Sequence, residues 1–406
     1  MKRIPVTGKV YNDEDRKIMI ECIESGEEIT YGSWNVKFER LLNEYLGVYK
    51  SYFVNSGSSA NLLALSAFTS PQMKKEWRLT SGDEVITVAA GFPTTIAPII
   101  QNKAIPVFVD IELPTYNIDT EQMKTALSKK TKGVFIAHTL GNPFNLDEVI
   151  SFCKENNLWL IEDNSDSLGS MYNDQKTGSF GDISTCSFYP AHHISTGQGG
   201  AVSTNDPSIA RILLSMRNWG KDCICEPNHD NRCGERFSQA HGNLPIGYDH
   251  KYVFSNFGYN LQGTNILAAL GYSQLKRVDQ FTKQRHENFN TLYSILIEEK
   301  LPICLPESYR QSDPSWFAFP ILLDYGIERR PIIDALSRKG IETRTLFAGN
   351  ILRQPCFTDN PSIKYRQIGD LYNTDLVMNQ MFFVGCWHGL NKDDMEYIGK
   401  TIKEIL

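Results

Sequence analysis

The chain has 406 residues, 41% hydrophobic and 11% aromatic, enough to bury a sizeable core and to exclude disorder as its main state. Lys and Arg number 41 against 47 Asp and Glu, and the resulting formal charge of −6 argues against general nucleic-acid binding, which wants a basic face. No apolar run approaches the ~18 residues of a membrane span, and Met1-Lys2-Arg3-Ile4-Pro5 leads into polar chain rather than a signal-peptide core, so a cytoplasmic protein without membrane or nucleic-acid partners is expected.

In chain order, Tyr52-Phe53-Val54 reads as a short strand, and Asn55-Ser56-Gly57-Ser58-Ser59 turns it into an apolar helix beginning Ala60-Asn61-Leu62-Leu63. Backbone N–H groups, serine hydroxyls and the helix dipole make such a turn an anion site suited to a phosphate, although a capped helix behind a glycine turn explains it equally. Residues 84–88, 105–110, 133–137 and 158–163 follow as continuous apolar runs, the pattern of strands covered on both faces in a parallel sheet. Helical stretches at 119–127 and 146–156 separate them. Phe92, in Gly91-Phe92-Pro93-Thr94-Thr95, is placed either to stack on a flat ring or to join the core. Glu162-Asp163 ends a strand at its carboxyl end, where open α/β sheets bind ligands. A carboxylate there can hold a proton on a pyridine nitrogen, or it can cap the next turn.

Further on, Ser187-Phe188-Tyr189-Pro190-Ala191-His192-His193 runs into the glycine-rich Gly197-Gln198-Gly199-Gly200, delivering two histidines into a turn. Between Trp219 and Tyr252 the composition shifts to Cys, Asn, Gly and Pro without periodicity, as in an ordered insertion loop. The chain has nine cysteines, and Cys223, Cys225 and Cys233 crowd into this loop; with no secretory signal they are expected to be reduced. A helical stretch then leads to residue 297 and a strand at 316–323. The expected organisation is a large cofactor-binding domain over residues 1–280, with the insertion at 220–252, and a smaller α+β domain over 281–406.

These segments, in this order, resemble the sugar aminotransferase superfamily of the type I aminotransferase fold, over nearly the whole chain. The resemblance implies an α/β protein with a central, mostly parallel sheet between helices. In that family the turn reads Ser-Phe-x-x-x-Lys, and the lysine binds pyridoxal phosphate covalently. Here His192 occupies the lysine position, Gln198 replaces a glutamate, and no lysine occurs between Lys176 and Lys221. An imidazole cannot form the covalent bond of a primary amine. The pair His192-His193, with Ala89-Ala90-Gly91-Phe92-Pro93, Gly247-Tyr248-Asp249-His250-Lys251-Tyr252 and Asp313-Pro314-Ser315-Trp316-Phe317, is similar to the sugar 3-dehydratases within the superfamily.

By resemblance, Ser58, Ser59 and Ser187 bind the phosphate of pyridoxamine 5'-phosphate or pyridoxal 5'-phosphate, Asp163 pairs with the pyridine nitrogen, and Phe92 stacks on the ring. Asn260 reaches a phosphate of the neighbouring subunit, so a homodimer with shared sites is implied. His192 acts as general acid and base. The implied reaction is C3 dehydration of a nucleotide-linked 4-keto-6-deoxyhexose, CDP-4-keto-6-deoxyglucose foremost, in bacterial 3,6-dideoxysugar and O-antigen synthesis.

The closest members also hold a 2Fe-2S iron–sulfur cluster on a Cys, 57 intervening residues, then Cys-x-Cys-x7-Cys. Cys223, Cys225 and Cys233 match the last three positions, and Ser165 stands at the first, with 57 residues between it and Cys223. Clusters of this kind are held by four thiolates, so Ser165 or His229 is the candidate fourth ligand. Zinc on the three thiols is the alternative, and a loop that has kept its cysteines without a metal is the bland one. With a cluster, electrons come from a flavin or iron–sulfur reductase; without one, the reading is a GDP-4-keto-6-deoxymannose-type dehydratase that uses glutamate. A non-enzymatic cofactor-binding protein is the third class.

Overall fold

The expected apolar runs assemble into one twisted sheet in the computed structural model, which describes residues 3–225, 231–298 and 300–406. Its strands lie in the order Lys50–Val54, Gly200–Thr204, Ile183–Ser187, Trp159–Asp163, Thr131–Ala137, Glu84–Val88, Ile105–Val109 and, at the far edge, Arg366–Gln367. Only Gly200–Thr204 runs against the others, so the sheet is mostly parallel, as the continuous apolar runs require.

Side chains alternate across this sheet, and each strand therefore feeds two cores. Val54, Val85, Phe135, Trp159, Ile161 and Ile183 pack against Leu63, Ala64 and Phe68 and against Ile209, Ile212 and Leu213 of the Pro207–Arg217 helix. Ile86, Val107, Val134, Ile136 and Leu160 face the other way, onto Val149 and Phe152 of the Leu146–Glu155 helix. The Gly57–Ala67 helix is apolar over most of its surface because all but Ser58, Ser59 and Leu62 are buried.

A second, antiparallel sheet of Ile303–Cys304, Ala318–Leu323 and Met381–Gly385 carries the smaller unit, against the Val278–Ile297 and Lys392–Ile405 helices. The expected division at residue 280 falls inside the Val278–Ile297 helix. The two parts also exchange chain: Ile4 N–H donates to Gly340 O at 2.8 Å, and Arg366–Gln367 joins the edge of the large sheet. The strand expected at 316–323 begins later, at Ala318. Its first two carbonyls, on Trp316 and Phe317, are taken by the buried Arg285 guanidinium, each at 3.0 Å, and the Phe317 N–H goes to Leu140 O at 2.8 Å.

The insertion is ordered by polar contacts rather than by regular structure. Arg236 pairs with both Asp249 oxygens at 2.8 and 2.7 Å, and the His250 N–H donates to Arg236 O at 3.0 Å. Among the described residues no helix is long and apolar enough to cross a membrane.

One buried carboxylate holds the centre of the large sheet. Glu162 is fully buried and accepts N–H bonds from Gly178 (2.9 Å), Phe180 (2.8 Å) and Gly181 (2.6 Å), and its Oε2 lies 3.0 Å from His138 Nε2. Replacing it by Ala leaves those donors buried and unpaired, at ~1–3 kcal/mol each. Glu162→Ala is therefore expected to cost at least about 3 kcal/mol in urea unfolding; a loss below about 1 kcal/mol would show that other acceptors take over its bonds.

Candidate active site

The carboxyl ends of the parallel strands and the start of the Gly57–Ala67 helix enclose a cavity of about 340 Å³. Ser56 caps that helix, its Oγ accepting the Ser59 N–H at 3.1 Å and donating to Ser59 Oγ at 3.0 Å. The capping commits Ser59 to the helix start, and it is Ser56, Gly57 and Ser58 that line the cavity together with Ser187. Gly57 has no room for a side chain: a Cβ there would stand 2.4 Å from Ser187 Cβ. The close approach of these two segments puts Ser58 and Ser187 on one cavity at a helix N-terminus, a setting suited to an anion.

Asp163, the last residue of its strand, lies elsewhere on the same cavity and is 4% exposed. Its Oδ2 accepts from Asn61 Nδ2 at 2.8 Å and Thr95 Oγ1 at 2.7 Å, and its Oδ1 accepts the Ser165 N–H at 3.2 Å. Asn61 is itself oriented by Thr185, whose Oγ1 donates to Asn61 Oδ1 at 2.6 Å. Three elements thus aim one carboxylate into the cavity. Phe92, half-exposed, caps the Pro93–Gln101 helix at the mouth, edge-on to Phe347 at 5.7 Å between centroids. A phosphate cradle, a fixed carboxylate and an aromatic wall on one cavity fit a phosphorylated pyridine cofactor.

His192 also lines this cavity, which no described lysine lines. Its Nδ1 faces Asp166 Oδ1 at 3.5 Å, and its ring lies 5.5 Å from that of Phe317. Burial pushes the imidazole down to about 4, against the opposing pull of the Asp163 carboxylate. His193 points elsewhere: it is fully buried, with Nε2 2.7 Å from Ser315 O, and burial lowers its pKa as well. The adjacent histidines therefore divide into one ring at the cavity and one pinning the chain.

Among the remaining expected residues, Ser165 lies on the cavity wall and Asn260 does not. Asn260 is exposed, paired with Asn218 in an isolated antiparallel bridge. His229 lies outside the described residues. Cys223, Cys225 and Cys233 stand close enough for burial and the two neighbouring thiols to raise the Cys223 pKa. Main-chain N–H groups of Arg232 and Glu235 donate to Cys225 Sγ and Cys233 Sγ, both at 3.4 Å. Beside them, Asp222, His241 and His250 bring one ligand atom each within 4.8 Å of one another, and the Asp222 carboxylate is occupied by His250 Nε2 at 2.8 Å.

Sequence reading did not single out Ser56, Asn61, Thr95, Asp166, Tyr189 or Phe347 as site residues. Asp166 carried a usable signal, standing three residues past Asp163 on the same turn. Asn61 and Thr95 carried none, because their importance lies in reaching Asp163 across the sheet.

The sequence profile of the "DegT/DnrJ/EryC1/StrS aminotransferase family" matches residues 10–403. The chain is 49% identical over 404 residues to the lipopolysaccharide biosynthesis protein RfbH of Salmonella typhimurium, covering 99% of this chain and 91% of that one. It is 45% identical over 403 residues to the dTDP-4-dehydro-2,6-dideoxy-D-glucose 3-dehydratase of Saccharopolyspora spinosa, covering 98% and 86%. Among solved structures, the Escherichia coli GDP-4-keto-6-deoxy-D-mannose-3-dehydratase with bound hydrated PLP superposes with a TM-score of 0.88 at 27% identity, over 99% of this chain and 100% of that one.

The Gly57 contact makes a direct test of the cradle. Gly57→Ala is expected to weaken pyridoxal phosphate binding by about tenfold or more, roughly 1.4 kcal/mol, when titrated by absorbance. Unchanged affinity would place the phosphate elsewhere.

Proposed function

Because the chain belongs to the DegT/DnrJ/EryC1/StrS aminotransferase family, we propose that it is a pyridoxamine-phosphate-dependent 3-dehydratase of a nucleotide-linked 4-keto-6-deoxyhexose. One observation carries the reading: His192 lines the cavity, and no described lysine lines it. A site with an imidazole and no amine can move protons at the cofactor but cannot capture it covalently.

Ser58 and Ser187 would hold the phosphate with the helix N-terminus, and Asp163 would hold the proton of the pyridine nitrogen. Bound pyridoxamine phosphate supplies a primary amine for the C4 ketone and a ring that acts as an electron sink. His192 takes a proton beside that ring and returns one to the C3 hydroxyl, which leaves as water. Phe92, Phe317 and Phe347 shield the site from solvent, which strengthens the Asp163 charge on the ring nitrogen.

The two dehydratases named above share a C3 reaction on a 4-keto sugar lacking its 6-hydroxyl, one of them a 2,6-dideoxy sugar, but their names carry dTDP and GDP rather than the CDP foremost in the sequence reading. We assign the sugar chemistry to this chain and leave the nucleotide to a substrate panel. Cys223, Cys225 and Cys233 would supply three thiolates to a 2Fe-2S cluster, with Ser165 or His229 as the fourth ligand, and such a cluster would supply one-electron chemistry for a separate reductase. The hydrogen bonds onto Cys225 and Cys233 support that reading. A homodimer is supported by exposed apolar side chains between Trp219 and Phe257: Ile246 is 88% and Phe257 102% exposed, with Trp219, Tyr252 and Phe254 also uncovered.

His192→Asn is expected to lower dehydration by about 10²–10⁴-fold while sparing cofactor binding, measured by turnover of CDP-, GDP- and dTDP-linked 4-keto-6-deoxy sugars. Wild-type turnover by that variant would sink the reading. Anaerobically purified protein is expected to contain iron and acid-labile sulfide; their absence after reconstitution would remove the cluster and its reductase and leave the glutamate-dependent reaction. Phe257→Asp is expected to shift the solution mass toward a monomer.

A further inference from the structure

The insertion between Trp219 and Tyr252 gathers a second group of metal-binding side chains, which the cofactor cavity does not use. Asp222 near its start, His241 in its middle and His250 near its end bring one ligand atom each within 4.8 Å of one another. None of the three lines the cavity.

The main chain fixes two of these residues. Asp222 N–H donates to Val253 O at 2.9 Å, and His250 N–H donates to Arg236 O at 3.0 Å. His250 also opens the short turn His250–Tyr252, which Asp249 caps through the Lys251 N–H at 3.1 Å. Its side chain is only 7% exposed, and its Nε2 lies 2.8 Å from Asp222 Oδ2. The second carboxylate oxygen, Oδ1, faces Arg211 Nη2 at 3.7 Å, from the Pro207–Arg217 helix. His241, half-buried, stacks on His250 with ring centroids 4.7 Å apart and 19° from parallel.

Each ring keeps one nitrogen without a partner. His241 Nε2 and His250 Nδ1 are both buried, and neither forms a hydrogen bond. A neutral imidazole carries one N–H and one lone pair, and hiding either from water unpaired costs free energy. His250 can give its Nε2 proton to the Asp222 carboxylate, which leaves the Nδ1 lone pair with no donor. Stacking does not satisfy these nitrogens, because their lone pairs lie in the ring planes. A shared cation satisfies an imidazole lone pair and a carboxylate together.

We propose that Asp222, His241 and His250 form a binding site for a divalent transition metal of the zinc class. The ligands are one carboxylate oxygen and one nitrogen from each ring, with a fourth position left to water. Two imidazoles and a carboxylate are a donor set that zinc accepts. Tetrahedral zinc ligands at ~2.0–2.2 Å stand about 3.3–3.6 Å apart, so the three atoms close by at most about 1.5 Å on binding. His241 is the ring that moves, because His250 is held by its main chain and by Asp222. It turns out of the stack and aims its lone pair at the ion.

The ion acts as a staple. Among the described residues, the chain between Arg217 and His250 contains no helix or strand, and one metal ties three of its points together. Asp222 directly precedes Cys223, so the staple also fixes the backbone from which the first loop thiol projects. The site uses none of the three thiols and is independent of the dehydratase reading.

The test uses the full-length chain carrying Cys223→Ser, Cys225→Ser and Cys233→Ser, with Zn²⁺ alone as the probe. One zinc per chain is expected to survive gel filtration, and His241→Ala on the same background is expected to weaken binding by at least about tenfold. Zinc absent from the thiol-free chain, or bound as tightly after His241→Ala, overturns the proposal. The Co²⁺-loaded protein is expected to show ligand-field absorbance without thiolate charge transfer. Limited proteolysis reads the staple: cleavage within 231–249 is expected to slow at least about fivefold with zinc, and to be unaffected by zinc after His241→Ala. Equal cleavage with and without bound zinc would also overturn it. Should the triple substitution unfold the chain, wild-type protein alkylated at its accessible thiols with iodoacetamide takes its place in the same measurements.

Discussion

Two consecutive carboxylates at the end of one buried strand organise this protein. Glu162 and Asp163 point to opposite faces because side chains alternate along a strand. Glu162 gathers three main-chain N–H groups and His138 on one side, tying the strand to the turn at 178–181. Asp163 gathers Asn61, Thr95 and the Ser165 N–H on the other, tying it to two helix starts and the following turn. A buried carboxylate without such donors would be protonated or would disrupt the sheet. The same bonds that make burial tolerable therefore build the cavity floor, and stability and site geometry share one cause.

Burial shapes the chemistry in the same way. The parallel sheet excludes water from its carboxyl end, which lowers His192, raises Asp166 and strengthens the influence of Asp163 on both. An imidazole in that setting suits proton transfer inside a dry cavity more than exchange with solvent. The loop carrying Cys223, Cys225 and Cys233 differs: its order comes from ion pairs and N–H···S contacts at the surface.

Much of the fold was legible because it depends on local pattern. Continuous apolar runs such as 133–137 and 158–163 cannot be half-exposed strands, and they became neighbours in the parallel sheet. Phe92, Asp163, Ser187 and His192 all line the cavity, the first three from a strand end or helix start, where ligands gather, and His192 from the turn that follows. Ser59 was read as a phosphate ligand, but helix capping turned its hydroxyl to Ser56, and Ser56 itself reached the cavity wall. The strand expected from Trp316 started late because Arg285, 31 residues upstream, occupies the carbonyl that a ladder would use.

The sequence by itself determined the mostly parallel α/β architecture, the pair His192-His193 in a stretch without lysine, and the three thiols of one loop. Each of these is a matter of residue type and spacing along the chain. Only the tertiary structure decided which of two adjacent histidines meets the cavity, which serine caps and which lines, and that Asp166 stands against His192 Nδ1. Those outcomes turn on side-chain direction and on partners distant in sequence: His193 finds Ser315 122 positions away, and Asn61 reaches Asp163 across 102. No local pattern encodes such a pairing, because the energy that selects it appears only once the surrounding groups have lost their water.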